Sequence, residues 1–289
     1  MNKLGIHALV WVGGWTHDEC ERAVVCTAET GYDFIEIPLL DPTTVDTAFT
    51  RRCLDRYRIG ATASLGLSPQ TDISSEDPAI VARGESLLND ALSAARDFGS
   101  EYLCGVIYSA MTKYMAPATQ RGIDNALGVL DRLADRARES GMTIGLEVVN
   151  RYESNVMNTA SQAMKLLERL PADNVVVHLD TYHMNIEESS VSEAVAVCGQ
   201  RLGYFHIGES HRGYLGSGSI DFDAIYRALA AHGYTGPIAF ESFSSAVVDP
   251  VLSNVLGVWR NLWDDGNDLA THARTHMVNG LHAARRAVG

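Results

Sequence analysis

The chain has 289 residues, a 46% apolar fraction and a formal charge of −13; that length is ordinary for one α/β barrel domain spanning 1–289, and the acidity argues against a phosphate-backbone partner, which needs clustered Lys and Arg. Only Lys3, Lys113 and Lys165 occur as lysines, none at a predicted strand end, which disfavours Schiff-base chemistry. Cys20, Cys26, Cys53, Cys104 and Cys198 form an odd, widely spaced set without a CxxC pair, so they read as reduced thiols of a cytoplasmic chain.

The first strand is expected over residues 4–12; the opening MNKLGIHALVWVGG reads as that strand, not as a signal segment. Thr16 then caps a helix that stops at Gly31. A second strand over 33–39, a helix over 43–57 and a third strand over 59–67 follow, and the turn-rich stretch 68–79 is a long loop. A helix over 79–98 ends at Gly99. The fourth strand covers 101–108, and a helix over 118–140 closes at Gly141. The fifth and sixth strands cover 142–148 and 174–180, with a helix between them that Asn158 or Thr159 caps and Pro171 ends. The seventh strand, 202–207, leads into a Gly-rich loop and a helix over 222–232; the eighth covers 237–242, before helices over 250–263 and 268–287. Eight strands, each followed by a helix, predict a single (β/α)₈ TIM barrel with an additional C-terminal helix over the barrel floor or a subunit contact. No apolar run approaches the ~18 residues of a membrane span.

Four metal-type side chains end four consecutive predicted strands: Glu147 in TIGLEVVN, Asp180 in VVVHLDTYH, His206 in LGYFHIGES and Glu241 in PIAFESF. Alone, each has an ordinary explanation as a helix cap, an ion-pair partner or a core histidine. Together they share one phase, near the last residue before the loop, and a barrel gathers such ends at one mouth. Three oxygen donors and one nitrogen, without thiolate, suit Mg²⁺, Mn²⁺ or Co²⁺, with zinc a weaker fit. Glu153, His183 and Arg212 follow shortly after three of these strand ends and suit a polyhydroxylated substrate. Trp15, Tyr108 and Phe243 lie near other strand ends, where they either wall a sugar pocket or pack in the core.

Such a site suits an α-hydroxyketone. A cation on the ketone and neighbouring hydroxyl stabilises the enediolate left when the carbon-bound proton departs. Glu147 and Glu241, from strands five and eight, flank the other two ligands, so one can remove a proton and the other return it to the opposite face. No nucleotide cofactor is called for, since WVGGWT after the first strand lacks the GxGxxG fingerprint.

The segments LEVVNRYESN, HLDTYHMNIEE, FHIGESHRGYLGSG and AFESF resemble the ketose 3-epimerases, the D-tagatose 3-epimerase and D-allulose (D-psicose) 3-epimerase family within the xylose isomerase-like TIM barrels. The resemblance spans nearly the whole chain. It implies that Glu147, Asp180, His206 and Glu241 hold one divalent metal ion per subunit and that the two glutamates are the acid/base pair. It implies further that Glu153, His183 and Arg212 hold the O1–O3 end of the sugar, and that Phe243 and Trp15 are apolar contacts. The stretch from His7 to Val10 and the loop GVIYSAMTKY, with Gly105 and Ile107, depart from the family's more aromatic versions where the distal sugar pocket is expected. The implied substrate is a free ketose: D-fructose/D-allulose first, D-tagatose/D-sorbose next. The implied assembly is a homodimer or homotetramer.

Other readings share the barrel. An aldose–ketose isomerase, a hydroxypyruvate-type isomerase and an inosose dehydratase use similar metal sites, although a two-metal isomerase needs a second ligand set that the sequence does not display. Gly208, Gly213, Gly216 and Gly218 after strand seven would suit a phosphosugar epimerase, but strand eight lacks a Gly-rich turn. An abasic-site endonuclease needs more histidines and a basic groove. A metal-stabilised sugar-binding barrel is the non-enzyme alternative.

Overall fold

The computed structural model describes residues 2–288. Eight parallel strands close on themselves in chain order: β1 (Leu4–His7), β2 (Phe34–Pro38), β3 (Gly60–Ser64), β4 (Tyr102–Gly105), β5 (Thr143–Val148), β6 (Val175–Asp180), β7 (Leu202–Ile207) and β8 (Ile238–Phe240). β8 rejoins β1 through Leu4–Ile238, Gly5–Ala239 and Ile6–Phe240. Parallel strands need helical crossovers. These are α1 (His17–Glu29), α2 (Thr47–Tyr57), α3 (Pro78–Phe98), α4 (Gln120–Glu139), α5 (Ala160–Leu167), α6 (Thr181–Glu187), α7 (Val191–Cys198) and α8 (Phe222–Ala231), followed by α9 (Pro250–Leu256) and α10 (Gly266–Val288).

The caps follow from side-chain chemistry. Thr16 and Glu19 form a capping box on α1. Thr159, not Asn158, caps α5, and Gln162 completes its box. Asp180 ends β6 and also caps α6, accepting from the Tyr182 N–H at 2.7 Å. All five cysteines are free thiols.

Several expected elements differ: β3 stops at Ser64, short of residue 67, and α2 starts at Thr47 after a 3₁₀ turn over Pro42–Thr44. β1 stops at His7, whose Nδ1 accepts from the Leu9 N–H at 3.3 Å and turns residues 8–10 into a 3₁₀ turn. β4 ends at Gly105, where φ is +113° and an added Cβ would strike the backbone of Leu65. The β6–β7 crossover, which has no bounded helix in the sequence pattern, holds α6 and α7. α9 stops at Gly257, in the left-handed region, so the expected helix over 250–263 is halved. α10 packs against α8, burying Ala273, Met277 and Leu281.

Side chains alternate in and out along each strand. Outward residues such as Ile35, Ile37, Leu103, Ile144 and Val177 are fully buried under the helices. Inside, Phe34, Cys104, Tyr204 and Ala239 form a separate apolar plug. Above it lies a buried polar layer containing Glu36, Thr62, His178 and His206. Asp180 and His206 are register partners, so β6 and β7 deliver them to one height.

Candidate active site

The polar layer opens into a cavity at the C-terminal mouth of the barrel. Glu147 on β5, Asp180 on β6, His206 on β7 and Glu241 just after β8 are all buried, with ligand atoms within 4.8 Å of one another. His206 Nδ1 is the centre of the group. It lies 3.6 Å from Glu147 Oε1, 3.6 Å from Glu241 Oε1 and 3.9 Å from Asp180 Oδ2. It has no hydrogen-bond partner.

The other ring nitrogen explains why. His206 Nε2 donates to Glu36 Oε2 at 2.7 Å, and the same oxygen accepts from the Tyr204 hydroxyl at 2.7 Å. Tyr204 in turn meets Thr62 at 2.8 Å. A carboxylate behind one nitrogen fixes the tautomer that aims the other as a ligand. Glu36 escapes strand-end reasoning because it sits mid-strand; its only signal is a lone acid in FIEIP, at an inward position. Three carboxylate oxygens facing one unspent imidazole nitrogen fit a hard divalent cation.

Titration behaviour reflects this crowding. For His206, burial opposes the charged form, but Glu36, Glu241 and Glu147 outweigh it and raise the imidazole well above its ordinary range. Burial likewise opposes ionised Glu147, yet His178, His206 and His183 hold it below the usual carboxylate range. Asp180 is held below the usual carboxylate range too, against burial, chiefly by Arg212. Glu241 goes the other way: burial pushes it up to about 8, helped by Asp180 and Glu147 and opposed by Arg212 and His206.

Glu153, His183 and Arg212 all line the same cavity. His183 Nδ1 accepts from the Asn150 backbone N–H at 3.2 Å and from Asn150 Nδ2 at 2.8 Å. Its proton therefore sits on Nε2, 3.7 Å from Glu147 Oε1 and 4.0 Å from Glu153 Oε2. The Asn150 side-chain amide also donates to Glu153 Oε1 at 3.0 Å, while its Oδ1 accepts from the Tyr152 N–H. It positions two expected substrate contacts at once, and nothing in its loop context singles it out. Arg212 Nη1 lies 3.0 Å from Asp180 Oδ2 and 2.6 Å from Glu241 Oε2. Its guanidinium stacks 3.9 Å from the Tyr182 ring, and its backbone is left-handed at φ +62°, a conformation uncommon for a side-chain-bearing residue. The Ser242 hydroxyl donates to its carbonyl and helps hold that turn.

The remaining expected contacts divide. Phe243 and Gly105 line the cavity. Ile107 does not; it is fully buried in the core around the barrel. Trp15 lies where α1 meets α2, with its indole N–H on Thr50 Oγ1 at 3.0 Å, and it is not part of the cavity wall. Tyr108 braces β5 instead of walling the pocket, donating to the Glu147 carbonyl at 2.8 Å.

Two rival chemistries meet specific obstacles. The Gly-rich loop after β7 spends its amides on its own carboxylate: Glu209 accepts from the N–H groups of Ser210, Gly216 and Ile220. That leaves a poor phosphate cradle. His7, Glu36 and Glu241 also come within 4.8 Å of one another. A second cation there would share Glu241 with the Arg212 guanidinium and lie beside the first, so like charges oppose it.

Residues 26–273 match the family described as xylose isomerase-like TIM barrel. The chain is 50% identical over 283 residues to a ketose 3-epimerase of Arthrobacter globiformis, covering 98% of each chain. It is 52% identical over 271 residues to an L-ribulose 3-epimerase of Methylomonas sp. (strain DH-1), covering 94% of this chain and 95% of that protein. A crystal structure of D-allulose 3-epimerase from Methylomonas sp. in complex with D-allulose superposes with a TM-score of 0.95, at 50% identity and with 96% of each chain covered.

Proposed function

The chain belongs to the ketose 3-epimerases of the xylose isomerase-like TIM barrel family, and we propose that it inverts C3 of free ketohexoses with one divalent cation and with Glu147 and Glu241 as proton carriers. The enzyme is a carbohydrate isomerase of the epimerase type. The observation that carries the residue assignment is the pair itself. Two glutamates from strands on either side of Asp180 and His206 stand 3.6 Å from the same imidazole nitrogen. Two-base inversion needs one carboxyl on each face of the carbon.

In this reading Glu147, Asp180, His206 and Glu241 hold the cation as Mg²⁺, Mn²⁺ or Co²⁺. When bound, the cation supplies Lewis acidity to the ketone and stabilises the charge that develops on its oxygen. One glutamate removes the C3 proton and the other returns a proton from the opposite face. His183 offers its Nε2–H to a substrate oxygen. Glu153 accepts from a hydroxyl of the C1–C3 segment. Arg212 holds the Glu241 carboxylate in place through its contact at 2.6 Å. No nucleotide takes part.

The sugar pair we assign first is D-fructose/D-allulose, with D-tagatose/D-sorbose next; the D-allulose bound by the 50% identical relative supports a ketohexose. We assign the enzyme to the cytoplasm as a homo-oligomer, dimer or tetramer. Among the described residues no helix is long and apolar enough to cross a membrane.

The test is a panel of D-fructose, D-allulose, D-tagatose, D-sorbose and L-ribulose, run after chelation and again with each metal restored. The expected result is exchange between C3 epimers that chelation abolishes and a divalent ion restores. Turnover indifferent to chelation, or an aldose product, would overturn the reading.

A further inference from the structure

The cavity has two kinds of wall. One carries Glu147, Glu153, His183, Arg212 and Glu241, all given roles above. Much of the rest is apolar, built from Leu9, Leu65, Val106, Met111, Leu252 and Leu256. Two polar side chains in the lining have no role so far: His7, at the end of β1, and Ser64, at the end of β3.

Their hydrogen bonds are directional. The Leu9 N–H points into His7 Nδ1 at 3.3 Å, so the imidazole carries its proton on Nε2. That nitrogen lies 3.3 Å from Ser64 Oγ and 3.7 Å from Glu36 Oε1. Ser64 therefore accepts from His7, and its own hydroxyl proton has no acceptor among the described residues. Phe243 packs edge-on against the imidazole at 5.6 Å and holds the ring in this pose. His7 also sits close to the chemistry: ligand atoms of His7, Glu36 and Glu241 fall within 4.8 Å of one another. A carbon served by Glu241 would have His7, with Ser64 hydrogen-bonded to it, on one side.

We propose that His7 and Ser64 read the C4 hydroxyl of the ketose and set the enzyme's choice between C4-epimeric sugars. This rests on the reading that places C3 between Glu147 and Glu241. Ser64 donates to the C4 oxygen, and His7 orients Ser64 to do so. The surrounding wall offers few competing polar partners, so the configuration at C4 decides whether that bond forms. D-fructose and D-tagatose differ at this carbon alone.

The test compares kcat/KM of the Mn²⁺-loaded enzyme for D-fructose, 4-deoxy-D-fructose and D-tagatose in wild type, Ser64→Ala and His7→Phe. One neutral hydrogen bond sets the scale, so Ser64→Ala should shrink the ratio of D-fructose to its 4-deoxy analogue by about 3- to 10-fold. The D-fructose to D-tagatose ratio should shift as well, and His7→Phe should move both ratios the same way. Ser64 bonds only to His7, so Ser64→Ala keeps the test alive if His7→Phe fails to fold. Ratios within twofold of wild type in Ser64→Ala would overturn the proposal. Failure of the parent reading looks different: wild type would epimerise none of these sugars. Calorimetric affinities for the same three sugars would then decide, since unchanged affinity ratios in Ser64→Ala still refute the role and shrunken ones still support it.

Discussion

Removing the charge on Glu36 should loosen the metal site without touching a ligand. Glu36 Oε2 accepts from His206 Nε2 and from the Tyr204 hydroxyl, each at 2.7 Å. Burial disfavours its charge, yet His206, His7 and His178 hold it well below the usual carboxylate range. In Glu36→Gln the amide oxygen can still face His206, and Tyr204 can turn its hydroxyl toward Thr62. The shape survives while the charge is lost. Hydrogen bonds to charged groups contribute roughly 1 to 1.5 kcal/mol more than neutral ones, which is about a tenfold loss of cation affinity. Glu36→Ala leaves the His206 donor unpaired and frees the imidazole to rotate, so its loss should approach about 100-fold, the upper end for partners of metal ligands. The assay is calorimetric titration of chelator-stripped protein with Mn²⁺, with circular dichroism to verify the fold. Affinities within twofold of wild type in both variants would refute the reasoning.

Glu147→Gln and Glu241→Gln should each lower turnover by at least about 10²–10⁴-fold, the range for a positioned acid or base, with the fold intact by circular dichroism. Asn150→Ala should raise KM more than it lowers kcat, because His183 keeps only the backbone donor at Nδ1 and Glu153 loses the amide that holds its Oε1, while Glu147 and Glu241 keep their places; steady-state kinetics on one ketose separate the two effects. Cation loading should release about one or two protons near pH 7. The sign follows from His206, raised well above its ordinary value, and Glu241, raised to about 8, both of which bind protons that the cation must displace. Affinity should therefore tighten as pH rises from 6 to 8, and calorimetry in buffers of different ionisation enthalpy counts the protons. Gly84→Ala should destabilise the protein by about 1–3 kcal/mol, because the new Cβ would enter the Thr71 carbonyl where α3 meets the preceding loop; thermal denaturation reads the loss.

What could be read from the sequence was whatever strand periodicity encodes. Glu147, Asp180, His206 and Glu241 share one inward phase, and barrel closure turns a shared phase into proximity. Asp180 shows that the modest reading and the functional one can both hold, since one oxygen caps α6 while the other faces the cation site. Glu36 was out of reach because its partner His206 is 170 residues away, on the far side of a barrel whose register no local pattern specifies. Asn150 was hidden in a loop, where direction depends on turns and not on alternation. Trp15 lies in the loop beyond the strand, where direction is set by turns and not by alternation, and its indole reaches Thr50 on α2. Ile107 was misplaced because Gly105 takes the chain out of the sheet, which alters the phase that follows.

The most direct measurement is the position of solvent hydrogen in the product. D-fructose incubated in D₂O with metal-loaded enzyme should give D-allulose carrying deuterium at C3, seen by nuclear magnetic resonance, with none at C1. Deuterium at C1, or D-allulose free of label, would contradict proton exchange through Glu147 and Glu241.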